Sequence, residues 1–430
     1  MSSPPAPGRK RRLSSDPGSR WASQPEDLIG VVASRLLLAG DLLDYVRFRA
    51  VCTAWRSGTD EPRGRGVADP RFHPWRWVML PEGHYLYPGH PKLGGYVRFL
   101  NLDTGALVRS RIPLLTGGYH CAMDSVDGLL LLLGNPDWEG AVRLLHPFTG
   151  DIIDFPPIEP LASRLLGTCP AMLRNRRLTK SVCASVSINT AGAITVILDL
   201  YQVRHIAFAT SIDREWTLST WKFPPCCYYP LPFQGKLYVV VDTPTPLVED
   251  QDKVHHVVQV DPPITLEDGT RALPEPKLIA TIPGHKLLHP DGLVECGSEL
   301  LVLGHNDIDM SWSQIVIFKL TDLVLQRFIP IQSIGGNTLF LGARNISVSS
   351  RVLPTAKGDN VVYYNSSEPP YLVQYNLTSG TFSPAIDTCS LYGRAPGPSS
   401  LVHYIFSCCD RDEWSKGLIF RKEWTRVDLA

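Results

Sequence analysis

Residues 141–157 read AVRLLHPFTGDIIDFPP, and this order of apolar strand, polar turn with Thr-Gly, second apolar strand and proline recurs along the chain. Close copies are YVRFLNLDTGALVRSRIP at 96–113 and YLVQYNLTSGTFSPA at 371–385. Looser copies lie at 206–224, 256–283 and 314–330. Two apolar runs joined by a short turn that contains glycine are typical of a β-hairpin. The sequence therefore predicts one hairpin unit, repeated.

Between these hairpins lie continuous apolar runs: DGLLLLL (127–133), GKLYVVVD (235–242) and SELLVLG (298–304). Continuous rather than alternating apolar residues indicate strands that are buried on both faces. The hairpins recur roughly every 45–60 residues, a spacing typical of four-stranded sheets repeated around an axis. We predict a mainly β fold, a propeller of six or seven blades over residues 75–425. Two stacked β-sandwiches are the alternative.

Residues 21–60 have apolar residues at helical rather than strand spacing, and they predict a module of three short helices. Leu28, Val31, Val32 and Leu36 recur at helical spacing and predict one apolar stripe on the first helix. A module of this length buries too little apolar surface to be stable without a partner. We therefore expect it to share apolar surface with a second polypeptide.

The ends of these helices have their own signals. Ser23 followed by Glu26 predicts a capping box at the start of the first helix. Gly40 is expected to end that helix, and Asp41 is expected to cap the second. Residues 61–74 are predicted to be a linker.

Residues 1–20 are rich in Pro, Ser and Gly and lack apolar periodicity, so we predict a disordered basic tail. Within it, Arg9, Lys10, Arg11 and Arg12 resemble a short nuclear-import signal. A solvated basic tail without that function is the alternative.

The composition excludes several classes of function. Lys and Arg together number 42, as do Asp and Glu, and this balance does not favour a nucleic-acid or membrane-surface protein. The ten cysteines have no C-x-x-C spacing, so neither a zinc site nor a disulfide framework is expected. We expect a protein of the nucleus, the cytoplasm or both.

Catalytic motifs and metal-ligand patterns are absent from the sequence, so we expect no catalytic residue, no metal and no cofactor. Acid pairs such as Asp291 with Glu295, or Asp307 with Asp309, are candidates for glycoside chemistry on a propeller. Solvated loop acids are the favoured interpretation. Two tryptophans in turn-like sequence, Trp138 and Trp312, are candidates for loops that bind a target.

Residues 21–56 resemble an F-box, the module that docks a substrate receptor onto the Skp-type linker of cullin–RING ubiquitin ligases. The matching residues are Trp21, Pro25, Asp27, Leu28, Val32, Leu36, Asp41, Arg49, Val51, Cys52, Trp55 and Arg56. One residue departs from the family pattern: Gln24 stands where a leucine usually precedes the proline.

The remainder of the chain resembles the plant F-box-associated family of KIB-type β-propellers. The matching segments are HPWRWVMLP (73–81), DGLLLLL (127–133), LLHPFTGDIIDFPPI (144–158), GKLYVVVD (235–242), LVECGSELLVLG (293–304), VIFKLTD (316–322) and LFLGARNISVS (339–349). The two resemblances together cover nearly all of the chain.

The resemblance implies a substrate-recognition adaptor of an SCF-type ubiquitin ligase, with an unidentified protein as its target. The residues expected to contact the linker are Pro25, Leu28, Val32, Leu36, Leu43, Val51 and Trp55. A propeller scaffold outside any ligase is one alternative, and a carbohydrate-active propeller enzyme is the other. Neither nucleic acid nor a membrane is an expected partner.

Overall fold

The computed structural model describes residues 24–80, 90–118, 120–134, 141–161, 182–200, 204–224, 228–242, 253–307, 314–353, 358–365, 371–385 and 401–409. The chain divides into two compact units, Met1–Pro62 and Arg63–Ala430. The first unit contains α1 (Glu26–Leu38), α2 (Leu42–Arg49) and α3 (Thr53–Ser57). The predicted linker at 61–74 and the other predicted boundaries stay predictions.

The second unit begins with three antiparallel sheets. Sheet 1 consists of β1 (Trp77–Leu80), β2 (Tyr96–Asn101) and β3 (Leu107–Arg111). Sheet 2 consists of β4 (His120–Val126), β5 (Leu129–Gly134), β6 (Val142–Leu145) and β7 (Ile152–Phe155). Sheet 3 consists of β8 (Val182–Ile188), β9 (Ile194–Leu200), β10 (His205–Thr210) and β11 (Thr217–Leu218).

Three more large sheets follow in the described part of the chain. Sheet 4 consists of β12 (Leu231–Phe233), β13 (Lys236–Asp242), β14 (Val254–Val260) and β17 (Lys277–Pro283), with a small hairpin inserted, β15 (Ile264–Thr265) and β16 (Arg271–Ala272). Sheet 5 consists of β18 (His289–Cys296), β19 (Glu299–His305) and β20 (Ile315–Lys319). Sheet 6 consists of β21 (Asn337–Phe340), β22 (Ile346–Ser349), β23 (Asn360–Asn365), β24 (Tyr371–Asn376) and β25 (Thr381–Pro384).

The short helices in the described part of this unit are α4 (Leu320–Val324), α5 (Leu401–Cys409) and three 3-10 turns, Pro70–Phe72, Pro91–Leu93 and Pro113–Gly118. All nine residues of α5 are buried. This helix packs with sheets 6 and 1 in one apolar cluster, which explains why a helix can be apolar on every side.

Apolar clusters join the sheets in chain order. One cluster joins sheets 2 and 3, the next joins sheets 3 and 4, and two more join sheets 4 with 5 and 5 with 6. Sheets 1 and 2 meet at the ring of Phe148, which contacts the rings of Trp77 and Phe99. The centroid of the Phe148 ring lies 5.2 Å from the centroid of each. The cluster around Leu80 and Phe340 joins sheet 6 to sheet 1.

The predicted hairpin units at 96–113, 141–157 and 371–385 are confirmed as β2–β3, β6–β7 and β24–β25. Their turns share a backbone hydrogen bond that the sequence pattern alone does not show. The N–H of the turn glycine donates to the carbonyl oxygen four residues earlier, from Gly105 to Asn101, from Gly150 to His146 and from Gly380 to Asn376.

The side chain that opens each turn is a second hydrogen-bond acceptor. Oδ1 of Asn101 accepts from the N–H groups of Asp103 and Thr104. In sheet 2 the same position is His146, whose Nδ1 accepts from Phe148 and Thr149 at 3.2 and 3.0 Å. An Asn or His at the end of the first strand therefore fixes the turn, since these side chains offer an acceptor at the right reach.

One predicted hairpin is wrong. Residues 314–330 form β20, but the expected second strand is replaced by the helix α4. Leu320 and Leu323 are both buried, and their three-residue spacing suits one face of a helix. The turn in this copy also lacks the glycine of the close copies.

The predicted fold class is confirmed at the coarser level: antiparallel sheets dominate, and helices precede them. The predicted inner runs at 127–133, 235–242 and 298–304 correspond to β5, β13 and β19, and β5 is buried along its whole length. The choice between six and seven blades stays a prediction.

Gly128 in the turn between β4 and β5 allows a test of this architecture. Its φ is +77°, and a Cβ at this position would lie 1.9 Å from the carbonyl oxygen of Pro74. We expect Gly128→Ala to lower the free energy of unfolding by about 4 kcal/mol or more, because the backbone itself would have to move. Denaturant titration measures the loss.

Gly192 supplies the matched control, since its φ is +80° and no atom lies within 4 Å of the added Cβ. Gly192→Ala is expected to cost only about 1–2 kcal/mol, the strain of a left-handed alanine. Equal losses in the two variants would contradict the packing of the β4–β5 turn against Pro74.

His146 makes stability depend on pH. Burial, the largest cause, lowers the pKa of His146 to about 4. Between about pH 6.5 and 4, His146 is protonated in the unfolded chain, whose imidazole pKa is about 6.5, but stays neutral in the folded chain. The contribution of His146 to the unfolding free energy is therefore complete above about pH 6.5 and is lost as the pH falls towards 4.

We expect His146→Asn to keep an acceptor for the turn, as Asn101 does, and to remove the titrating ring. The variant loses the hydrogen bond from Nε2 to the carbonyl oxygen of Phe72, so its unfolding free energy should fall by about 1–3 kcal/mol near neutral pH. Its decline towards acid should be shallower than that of the parent chain. Urea titrations across this pH range measure both effects, and a decline as steep as the parent's would contradict the assignment.

Candidate functional site

The helical unit is held together by a small buried set of side chains. Ile29 and Ala33 are the buried residues of α1, and Leu42, Tyr45 and Arg49 are those of α2. The predicted apolar stripe lies beside this buried side: Leu28, Val31 and Val32 are exposed, and Leu36 is half-buried.

Arg49 and Tyr45 anchor the segment that follows α3. The Tyr45 hydroxyl donates to the carbonyl oxygen of Asp60 at 2.8 Å, and the Arg49 guanidinium donates to the same oxygen. Arg49 also forms an ion pair with Glu61, with 2.5 Å between Nη2 and Oε2. Burial is the largest cause that raises the pKa of Tyr45, which therefore stays a hydrogen-bond donor at neutral pH.

The predicted cap of α2 lies within the described residues, and the predicted cap of α1 lies there only in part. Oδ1 of Asp41 accepts from the N–H of Asp44 at 3.0 Å, so the predicted cap of α2 is confirmed. At α1 the N-cap position is Pro25, whose side chain makes no capping hydrogen bond. The predicted capping box of Ser23 and Glu26 stays a prediction. Ser23 lies outside the described residues.

Several large apolar side chains are exposed on the described part of this unit. Within the unit itself, the exposed large apolar side chains are Leu28, Val31, Val32 and Leu38 on α1, Val46 on α2 and Val51 after it. About half of each side chain is accessible, and for Leu38 the fraction is 80%. A row of this kind on one helix is typical of a surface that binds another protein.

The predicted contact residues separate into two groups. Pro25, Leu28, Val32 and Val51 are exposed. Leu36, Leu43 and Trp55 are half-buried, and the Trp55 ring stacks on Phe48 with centroids 4.3 Å apart. The exposed Leu38 and Val46 were not among the predicted contacts, although the helical period places Leu38 beside Val31.

Several predicted site residues lie outside the described residues. They are Trp138, Trp312 and the basic run Arg9, Lys10, Arg11 and Arg12. Asp309 of the second acid pair lies outside them too. These predictions stay predictions.

The two acids of the first pair, Asp291 and Glu295, have different neighbouring charged groups. Burial and then repulsion from Asp307 raise the pKa of Asp291 to about 8. The pKa of Glu295 is also raised, first by burial and then by Asp127, against the opposing effect of Arg76. Each acid is therefore coupled to a carboxyl other than its predicted partner.

The described residues contain no group of three or more His, Cys, Asp or Glu side chains placed to hold a metal ion. The adjacent histidines of β14 point to different partners, His255 to Asp242 and His256 to Thr281. None of the helices in the described part of the chain has the length and apolar composition needed to cross a bilayer.

A model of the family described as KIB1-4 beta-propeller matches residues 99–383. Comparison with curated protein sequences gives no match. Among solved structures, the chain is similar to a puromycin-hydrolysing peptidase of Mycobacterium tuberculosis, with 12% identity and a TM-score of 0.27 over 78% of this chain. The match spans 56% of the peptidase chain, and at this TM-score it carries no argument about fold or activity.

The division of α1 into a buried and an exposed side predicts unequal effects of truncation. Ile29→Ala should lower the free energy of unfolding of the helical unit by about 2–4 kcal/mol, since Ile29 is buried. Leu28→Ala should change it by less than about 1 kcal/mol, because 53% of that side chain is exposed. Hydrogen exchange of the α1 and α2 amides measures the local effect, and equal losses would contradict the orientation of α1.

Proposed function

The chain belongs to the KIB1-4 beta-propeller family, and from this premise we propose that it is the substrate-recognition subunit of an SCF-type cullin–RING ubiquitin ligase. The helical unit is an F-box that docks onto the Skp-type linker. The propeller captures a protein target and brings it close to the ubiquitin-transferring enzyme. The observation that carries the proposal is the exposed apolar row on α1, which has the chemistry of a protein-binding surface.

The size of the helical unit supports the docking role. Its buried apolar core consists of a few side chains, Ile29, Ala33, Leu42 and Tyr45, while more large apolar side chains are exposed than buried. Covering half-exposed Leu and Val side chains contributes about 25 cal/mol for each Å² removed from water. A partner groove would therefore stabilise both the complex and the fold of the unit.

Gln24 is half-buried and replaces the apolar residue usual in the family, so one apolar contact is absent. The proposal retains docking because the remaining predicted contacts are apolar: Pro25, Leu28, Val32, Leu36, Leu43, Val51 and Trp55. It also assigns six blades to the propeller, one for each large sheet in the described residues. Trp138 and Trp312 remain the proposed target-binding loops.

In this proposal the chain makes and breaks no bond itself. It raises the effective concentration of the target near the transferring enzyme. A source in a plant and a location in the nucleus or cytoplasm are part of the same proposal. The enzyme alternative receives no support from the acid pair, since Asp291 and Glu295 couple to different carboxyls.

We expect Leu28→Asp to reduce co-purification of the full chain with a Skp-type linker by about tenfold or more, because a buried carboxylate in an apolar interface is costly. Leu278→Asp is the matched control, since this leucine of β17 is 59% exposed and belongs to the other unit. The control should retain the linker at the level of the parent chain.

Deleting residues 21–58 should abolish linker binding while the propeller unit stays folded, which circular dichroism checks. Failure of the parent chain to retain the linker would overturn the ligase role and favour the scaffold alternative. Equal loss of binding in the Leu28 and Leu278 variants would contradict docking through the helical unit.

A further inference from the structure

A cavity of about 560 Å³ lies within the second unit, between turns of several sheets. We call it the inner cavity. Three hairpin turns line it, those that join β4 to β5, β12 to β13 and β18 to β19. The segments 73–78 and 344–347 complete its wall.

The turns hold their side chains in fixed places. Asp127 and Gly128 both have positive φ, as do Gln234 and Gly235. Two consecutive residues of this kind form the tight turns that match the twist of paired strands. A non-glycine residue held at positive φ is a strained position, and such positions are common in binding sites. The cavity is therefore preformed, with the Asp127 carboxyl presented from a rigid turn.

Both arginines of the cavity are already neutralised. Arg76 binds Asp103 through two hydrogen bonds, Nε to Oδ2 at 2.7 Å and Nη2 to Oδ1 at 2.5 Å. Arg344 is paired with Asp124 at 3.3 Å, and the other oxygen of Asp124 accepts from the N–H of Ala184 at 2.7 Å. These positive charges are therefore not left over for an anionic ligand.

Two carboxyls remain without such partners. Among the described residues, none donates a hydrogen bond to the side chain of Asp127 or Glu295, although both line the cavity. Both residues are half-buried. A carboxylate in a cavity that receives no hydrogen bond from the protein keeps its lone pairs available to an external donor.

Neighbouring charged groups and burial both shift the pKa values of these two carboxyls. Burial raises the pKa of Asp127, with His73 and Arg344 acting in the opposite direction and Asp124 in the same one. Burial also raises the pKa of Glu295, where Arg76 and Arg344 oppose the shift and the carboxyls of Asp127 and Asp103 add to it. A cation placed between Asp127 and Glu295 would relieve their repulsion.

The rest of the wall suits an apolar stem. Trp75, Phe233 and Ile346 line the cavity beside the two carboxyls. The indole of Trp75 is 38% exposed and already lies against one guanidinium, that of Arg76, at 5.5 Å from the ring centroid. Aromatic rings and aliphatic walls favour a cation that carries carbon atoms over a bare ion.

We propose that the inner cavity binds an organic cation, a primary ammonium or guanidinium group on an aliphatic stem, with Asp127 and Glu295 as its counter-charges. A lysine or arginine side chain of a protein has this chemistry, and so does a free alkylamine. The assignment rests on the cavity alone and holds whether or not the chain docks onto a ligase linker.

The test uses the full chain and n-butylammonium as the probe, with saturation-transfer NMR titrations near pH 8. 1-Butanol is the neutral compound of the same size. We expect saturable binding of n-butylammonium, with an affinity at least about tenfold above that of 1-butanol. Affinity should fall as the pH is lowered, because carboxyls with raised pKa values protonate first.

Two variants examine the carboxyls. Asp127→Asn keeps the size of the side chain, and asparagine tolerates the left-handed backbone of this turn. We expect Asp127→Asn and Glu295→Gln each to reduce the affinity about tenfold. The matched control, Glu267→Gln, changes an exposed acid outside the cavity and should leave the affinity unchanged. Circular dichroism checks that each variant is folded.

A second arm identifies the source of the cation, using acetyl-Gly-Lys-Gly-amide and the same peptide with acetyl-lysine. Tighter binding of the lysine peptide than of n-butylammonium supports a protein side chain. Binding of n-butylammonium without the peptide supports a free amine. Equal affinities for n-butylammonium and 1-butanol, or binding that Asp127→Asn and Glu295→Gln leave intact, would overturn the proposal.

Discussion

The constraint on which the second unit depends is that the inner strands of its sheets are apolar on both faces. In β5 all six residues are buried, and β9, β13 and β19 have similar interiors. A sheet with two apolar faces needs a neighbour on each side, so a row of such sheets would leave an apolar face at each end. The cluster around Leu80 and Phe340 removes this difficulty, because it packs sheet 6 and the buried helix α5 against sheet 1. Sheets 1 and 6 therefore share one apolar cluster.

This packing brings the inner strands together, with consequences for their polar groups. Arg344 and Asp124 are 220 positions apart in the chain yet form an ion pair, and Asp124 also binds the backbone of β8. Arg76 reaches Asp103 and the carbonyl oxygen of Ser347. These arginines are thus ion-paired with other acids. Asp127 and Glu295 receive no hydrogen bond from the described residues. Burial and charge pairing together give the cavity its preference for a cation.

In the helical unit, by contrast, more large apolar side chains are exposed than buried. Its core is small, and hydrogen bonds from Tyr45 and Arg49 to residues 60 and 61 supplement it. Much of its apolar area faces outward, on the side of α1 that carries Leu28 and Val32. One unit thus satisfies its apolar surface internally, while the other retains surface for a second protein. The proposed adaptor role depends on that division.

Local patterns in the sequence were sufficient to predict the hairpins β2–β3, β6–β7 and β24–β25, the buried inner strands and the three N-terminal helices with the cap at Asp41. Strand period, turn glycines and capping depend on neighbours within a few residues, so they can be read from the chain directly. The helix α4, the choice of Ile29 rather than Leu28 as core, and the meeting of Asp127, Glu295 and Arg344 could not be read in this way. Those features depend on which face packs against which neighbour and on residues more than a hundred positions apart. Only the tertiary structure decides such contacts, because side-chain convergence follows from the packing of whole sheets rather than from any local period.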